Sequence, residues 1–475
     1  MLISLNDFSS IEISRQQKTP LYVQLYTAIL SRIQNGQLTP GYLLPPVRKL
    51  AAYLKLNPGT VVSAYRELEQ NGYIRSRAGA GSFVAELPST PEQEPDESQD
   101  LFEFPSTELD PADNTIDMSS ISLNPDIISI KQFKKQLLTV LDRDQGHAFS
   151  YQESQGFGPL RQSIAAHLAT AGIHTTARQL QIISGAQQGI DITARALLSH
   201  GDYVFTESPT YPGAIAAFRS RGARIIDIPL TPAGIDLQAL EDGLRRFRPK
   251  LLYIMPNLQN PTGITYDQET RSRLMGLARY YNAYVLEDDY ISELSYTNQP
   301  LRPLKAMDRD DRIIYLKSFS KIFMPGLRLA FLTMPAALAG RILQVKRLAD
   351  LSTSGLTQRV FDLYLREGIW RQHIRDIRRI YRTHYQYTEE RARALLPESV
   401  ELLCPRGGLS FWLTLPAGIS SILLCKAAAQ NGLMLTDGSG FYPHQTDTSH
   451  IRLSFATLSP AQIEAGLKIL SRLLS

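Results

Sequence analysis

Residues 313–323, IIYLKSFSKIF, place Lys317 and Lys321 among serines at the end of an apolar run, and Arg328 follows Lys321 by seven positions. A lysine where a strand ends is either a solvated anchor or, when its surroundings lower its pKa, a nucleophile toward carbonyl carbon. Lys317 falls inside the run and lacks the arginine spacing, so Lys321 is the stronger candidate. Other chemistry-bearing residues recur where apolar runs stop: Tyr211 after YVFTES, Asn260 in NLQNPTG after LLYIMP, and Asp288 and Tyr290 at the end of YVLEDD. Ser318 and Ser320 close IIYLKS in the same way. After QIIS comes Ser184-Gly185-Ala186-Gln187, a small-residue turn opening a helical stripe, whose backbone N–H groups would face an anion.

These residues need a scaffold that brings strand ends together. From about residue 115 short apolar runs alternate with helical stripes, the pattern of an α/β domain with a mainly parallel sheet and helices on both faces. Ligands in such sheets sit at the carboxyl ends of the strands, where the candidates fall. CPRGGLSFWL and SHIRLSFA read as strands of a smaller C-terminal subdomain. The arginine-rich segment from Arg366 to Tyr385 keeps Ile369, Ile374, Ile377 and Tyr381 on one helical stripe, so its charges read as a solvated face.

Taken in this order, the motifs N-P-T-G, S-x-S-K and the arginine seven residues on resemble the fold type I pyridoxal-phosphate enzymes of the aspartate aminotransferase group, across residues 115–475. The resemblance makes pyridoxal 5'-phosphate the expected cofactor and Lys321 its Schiff-base lysine. It implies that Asp288 pairs with the pyridine nitrogen, Tyr290 and Asn260 hydrogen-bond the phenolic oxygen, and Tyr211 stacks on the ring. Gly185, Ala186, Gln187, Ser318, Ser320 and Arg328 would hold the phosphate, and Arg452 a substrate carboxylate. Asp289 is expected to cap or to face solvent.

The first 87 residues have another character. Tyr22, Leu25, Tyr26, Ile29, Leu30 and Ile33 form an amphipathic stripe ended by Asn35-Gly36. Val47, Leu50, Ala51 and Leu54 form a second stripe behind prolines. After a break at NPG, a third holds Val61, Ala64, Tyr65 and Leu68. YIRSRAGAGSFVAEL, with Gly79 and Gly81 at its centre, reads as a β-hairpin. Three helices and a hairpin make a winged helix-turn-helix, and Pro45, Arg48, Leu50, Ala51, Thr60, Val61, Ala64, Tyr65, Leu68, Glu69 and Gly72 resemble the GntR family of bacterial regulators. Pro46 departs from that pattern, standing where the family usually has serine. The resemblance implies a double-stranded DNA operator, with Thr60 near base edges and Arg48, Arg75 and Arg77 toward phosphates or the minor groove.

Charge marks the boundary between the parts. Residues 1–77 hold nine Lys/Arg against four Asp/Glu, and residues 78–130 hold no Lys or Arg and twelve acids. The expected organisation is a winged helix-turn-helix at 1–87, an acidic linker at 88–114 and a cofactor-binding domain at 115–475. The two cysteines, Cys404 and Cys425, sit in no ligand-like spacing, so no disulfide framework or metal site is expected and both read as buried apolar residues. No run reaches the roughly 20 apolar residues of a membrane span, so a cytoplasmic protein is expected. Together the halves resemble the MocR subfamily, which implies a homodimer. The expected function is a regulator that senses an amino compound, or the cofactor, at Lys321. The alternative is an active aminotransferase with a fused DNA-binding head.

Overall fold

The computed structural model describes residues 8, 11, 13, 20–34, 37–77, 81–85, 115–298, 300–444 and 447–474. The chain divides into two compact units, Met1–Phe102 and Glu103–Ser475. The expected helix stop at Asn35-Gly36, Gly79 of the hairpin, and the acidic linker lie outside the described residues.

In the first unit α1 (Leu21–Gln34), α2 (Val47–Tyr53) and α3 (Pro58–Gln70) precede β1 (Ile74–Arg77) and β2 (Gly81–Val84). The strands pair antiparallel, Ile74 opposite Val84, and Leu43 bridges to Phe83. The predicted stripes are the core: Leu25, Ile29, Leu50, Val61, Ala64 and Leu68 are buried together. Truncating Leu68 to alanine would cost about 2–5 kcal/mol. Asn-Pro-Gly is not a break but the start of α3, because the Asn57 side chain accepts from the Gly59 N–H at 2.8 Å and Pro58 occupies the first helical position. The Tyr65 hydroxyl donates to the Pro45 carbonyl at 2.9 Å and fastens α3 to the entry of α2.

The second unit holds β3 (Ile116–Asp117), β4 (Leu180–Ile183), β5 (Tyr203–Ser208), β6 (Arg224–Thr231), β7 (Gly234–Ile235) and β8 (Leu251–Ile254). These are followed by β9 (Tyr284–Asp289), β10 (Ile313–Ser318) and β11 (Ala330–Thr333). Eight of them form one sheet in the order β4-β11-β10-β9-β8-β5-β6-β7. The steps from β10 through β9, β8 and β5 to β6 are parallel, whereas β11 runs antiparallel between β10 and β4. Alternation along β10 feeds both faces, with Ile314 and Leu316 in one core beside the helix Ala186–Leu197 and Tyr315 in the other beside Phe361.

A smaller antiparallel sheet, ordered β12-β13-β16-β15, is made from β12 (Glu401–Leu403), β13 (Ser410–Thr414), β15 (Thr436–Asp437) and β16 (His450–Ser454). Between them β14 (Leu433–Met434) pairs in parallel with β3, so the segment that enters this unit is bonded to its C-terminal part. The helix Ile369–Leu395 buries Ile374, Ile377 and Tyr381 on one stripe, as expected. Cys404 and Cys425 are half-buried and free, more exposed than expected. Among the described residues no helix is long and apolar enough to cross a membrane.

Candidate functional site

Lys321 lies in the turn after β10, in the connection that leads to β11. Its neighbours hold it: the Phe319 ring lies 5.4 Å from Trp370, and Phe323 lies 5.7 Å from Phe361. Among the described residues its ammonium has no hydrogen-bond partner. Burial pushes its pKa down to about 8, and the positive charges of Arg452 and Arg328 push in the same direction. The amine is thus far easier to neutralise than an ordinary lysine, which nucleophilic chemistry requires.

Lys317 is the opposite case. Its ammonium, on β10, pairs with Asp289 of β9 at 2.9 Å and with Glu293. These carboxylates outweigh burial and hold its pKa above the usual lysine value. Asp289 therefore does not face solvent. It is buried, accepts from the Ser292 N–H and hydroxyl and from the Tyr315 hydroxyl, and stays low in pKa because Lys317 and these donors offset burial. The expectation of a cap holds in the bond from the Ser292 N–H at 3.0 Å.

Asp288, on the other face of β9, is buried at 4 % exposure, and one of its oxygens accepts from the Tyr253 hydroxyl at 2.7 Å. Its second oxygen, Oδ1, is buried without any described partner. Burial pushes its pKa up to about 7, with Asp289 adding to the rise and Tyr253 and Lys317 opposing it. An orphaned buried carboxylate oxygen of this kind is costly unless a donor arrives to meet it.

At the end of β4, Gly185 has φ +98°, and a Cβ there would come within 2.3 Å of the Arg328 guanidinium. Arg328 itself donates to the Ser184 carbonyl at 3.1 Å, so the guanidinium wraps the turn. The N–H groups of Ala186 and Gln187 open the helix Ala186–Leu197 and bond to no described residue. Those N–H groups and the positive helix end make a cradle for an anion. The Gln187 side chain is engaged elsewhere, donating to the Gly213 carbonyl at 2.8 Å, so its backbone is what the cradle offers. The Ser318 hydroxyl accepts from the Ser320 N–H at 3.2 Å, which folds this serine pair into one turn.

On β16, Arg452 is buried at 9 % exposure and donates to Asn260 Oδ1 at 3.1 Å, to the Ser119 carbonyl at 3.2 Å and to Thr436 at 3.4 Å. Among the described residues its buried Nε has no partner, and its guanidinium lies 5.1 Å from the Phe441 ring centroid. Burial pulls its pKa down to about 10. Asn260 thus spends its oxygen on Arg452 and keeps its NH2 group for another acceptor. Tyr211 is the residue preceding the helix Pro212–Arg219, and the fields of Asp288, Arg328 and Arg452 all reach its phenol. The Tyr290 phenol is raised by burial, and the charge of Arg452 works against that rise. Tyr253, Ser119 and Thr436 had no signal in the sequence, since their partners lie 35 residues distant or farther except for the 16 residues between Thr436 and Arg452.

Of the residues expected at DNA, Arg48 and Arg75 are exposed and Thr60 is half-buried, and the side chain of Arg77 lies outside the described residues. Lys49, Lys55, Arg66, Val62 and Ser63 are also exposed on this unit.

Pyridoxal phosphate presents a ring nitrogen, a phenolic oxygen, an aldehyde and a phosphate. The residues fit it, because among the described residues Asp288 Oδ1 lacks a donor and Lys321 lacks a partner, and Gly185 lets the Arg328 guanidinium lie against the turn that opens the helix.

Comparison with known proteins agrees. Residues 121–470 match the family "Aminotransferase class I and II", and residues 21–84 match "Bacterial regulatory proteins, gntR family". The chain is 30% identical over 458 residues to the uncharacterized HTH-type transcriptional regulator YhdI of Bacillus subtilis, covering 96% of each chain. It is 28% identical over 476 residues to the probable rhizopine catabolism regulatory protein MocR of Rhizobium meliloti, covering 96% of this chain and 94% of that one. The crystal structure of Pyrococcus horikoshii kynurenine aminotransferase, solved in complex with PMP, superposes with a TM-score of 0.73 at 31% identity, over 76% of this chain and 91% of that one. The chain belongs to the class I and II aminotransferases, a pyridoxal-phosphate-dependent family, and carries a gntR-family head in the full-length architecture it shares with MocR.

Proposed function

We propose that this chain is a transcription regulator that binds an operator as a homodimer and senses an amino compound, or the cofactor itself, through Lys321. The observation that carries the reading is the combination at one site of an unpartnered lysine of lowered pKa and a buried aspartate with one open oxygen. When bound, pyridoxal phosphate supplies an aldehyde that condenses with amines and a ring that draws electrons from the attached carbon. Lys321 in its neutral form offers the amine to that aldehyde. Asp288, whose Oδ1 has no described partner, would accept from the protonated ring nitrogen, and that positive charge would oppose the effect of burial on its pKa. Tyr211 would stack on the ring face, and Tyr290 and the Asn260 NH2 group would donate to the phenolic oxygen. Ala186 and Gln187 N–H groups, the Gly185 turn, Ser318, Ser320 and Arg328 hold the phosphate. Arg452 grips the carboxylate of an amino-acid effector in a planar fork that lysine could not reproduce.

The head reads DNA with Thr60 and its neighbours at base edges and with Arg48, Arg75 and Arg77 on the backbone. An amino compound held at the site in place of Lys321 would leave the lysine side chain free, and the two states would differ in their affinity for the operator. The test is a titration of purified protein with amino acids and amines, following visible absorbance and operator affinity together. Both should change over the same ligand range. A spectral change with constant DNA affinity would remove the sensing role.

A second reading, a working aminotransferase with a fused head, is favoured by the buried Arg452 beside Asn260, which suits a substrate carboxylate. Multiple turnovers with an amino donor and a 2-oxo acid would establish it, and a single exchange without turnover would exclude it.

A further inference from the structure

Lys317 is buried at the back of the site and nothing in the proposed function uses it. Its side chain is 4 % exposed and that of Asp289 is 2 % exposed. Replacing a buried ion pair with apolar side chains is often neutral or stabilising, so packing alone does not call for charges here. Position supplies a reason. In the parallel register of β9 and β10, Lys317 lies opposite Asp289, and Leu316 lies opposite Asp288. Glu287, Asp288, Asp289 and Glu293 put four carboxyl groups within seven residues, three of them fully on β9. Among the described residues Lys317 is the cation that forms direct ion pairs with two of them, Asp289 and Glu293.

We propose that Lys317 is a positioning residue for the cofactor: by neutralising Asp289 it allows Asp288 to carry the negative charge that meets the protonated ring nitrogen. The proposal rests on the assignment of Asp288 to the ring nitrogen. The groups around the cluster leave this role to Lys317. Tyr315 and Ser292 donate neutral hydrogen bonds to Asp289, and Tyr253 donates one to Asp288. Arg378, on the helix Ile369–Leu395, spends its Nε on the Glu293 backbone carbonyl at 2.9 Å. Glu287 is occupied by the N–H groups of Leu304 and Lys305. The field of Arg271 reaches Glu287 and, less strongly, Asp289, while its own hydrogen bonds go to Tyr266, Pro256, Arg302 and Asn257. His167, on the helix Gly158–Thr170, feels Lys317 and is held neutral by burial above all.

If charge is what matters, two substitutions in the cluster must act with opposite sign. Lys317→Met leaves Asp289 and Glu293 uncompensated and opposes ionisation of Asp288. Asp289→Asn keeps the shape, leaves Lys317 paired with Glu293, and removes the negative neighbour of Asp288. Cofactor-free full-length protein titrated with pyridoxal phosphate, followed by visible absorbance, should show about tenfold weaker binding for Lys317→Met and about threefold tighter binding for Asp289→Asn. In an Asp288→Asn background both shifts should disappear, because the group they act through is gone. A merely structural cluster would weaken binding in both single variants, and that result overturns the proposal, as does an unchanged affinity in either. Where Lys317→Met does not fold, the sign of the Asp289→Asn effect decides alone. Asp288→Asn by itself separates the two claims: unchanged affinity removes the ring-nitrogen assignment. Weakened affinity, with the Lys317 and Asp289 effects persisting in that background, removes only the inference about Lys317.

Discussion

Among the described residues of the head no charged side chain is buried, and Arg48, Lys49, Lys55, Arg66 and Arg75 stand exposed. The large domain buries Glu207, Glu287, Asp288, Asp289, Lys317 and Arg452, several with pKa values displaced well away from ordinary ones. Solvated charges act over a distance and are screened by salt. Buried ones act on their neighbours through desolvation and respond to protons. One chain therefore contains a part whose exposed charges respond to ionic strength and a part whose buried charges respond to pH.

The largest expected effect is that of Lys321→Ala, which should abolish covalent fixation of the cofactor by borohydride, measured by mass spectrometry. Its salt-dependent binding to nonspecific DNA should be unchanged, and a parallel loss there would break the separation. Next comes Gly185→Ala. It places a Cβ at φ +98° within 2.3 Å of the Arg328 guanidinium, and cofactor affinity should fall roughly ten- to hundredfold in an absorbance titration.

Asp288→Asn should stabilise the cofactor-free protein. A carboxyl whose pKa rises from 3.8 unfolded to about 7 folded favours folding below the unfolded value, and that contribution is lost as pH climbs through the folded value. The variant should therefore gain about 1–3 kcal/mol at pH 8 over wild type in denaturant unfolding, with the gain shrinking to nothing near pH 4. Equal stabilities at pH 8 would mean that Asp288 is better solvated than its burial indicates. The smallest effect belongs to Arg48→Ala, which should reduce the slope of log affinity against log salt by about 0.9 if it meets one phosphate. Cofactor binding in that variant should not move.

The sequence carried the periodic part of this architecture well. The runs YVFTES, YVLEDD and IIYLKS are strands at their predicted limits, because each is a buried apolar stretch punctuated by turn residues. The residues at their ends could be named because strand ends are where parallel sheets hold ligands. What escaped depends on contacts between distant elements. The antiparallel placement of β11 between β10 and β4 is one such feature, which periodicity does not encode. Asp289 looked like a solvent-facing neighbour because its cation, Lys317, lies on the adjacent strand. Tyr253 carries no mark in the sequence, though its hydroxyl holds Asp288 from 35 residues away. In the head, Asn57-Pro58-Gly59 reads as a break, and the cap from Asn57 makes it the start of α3 instead.

The pairing of β3 with β14 gives the large domain's entrance a mechanical connection to its interior. Two residues beyond β3, the Ser119 carbonyl accepts from both Arg452 and Thr436. A carboxylate drawn onto that guanidinium would compete with the carbonyl for the same donor, and the slack would pass into the strand that begins at Ile116. Because β14 holds that strand on its other side, Ser119 would be the point at which the occupied guanidinium is first felt by the domain's entrance.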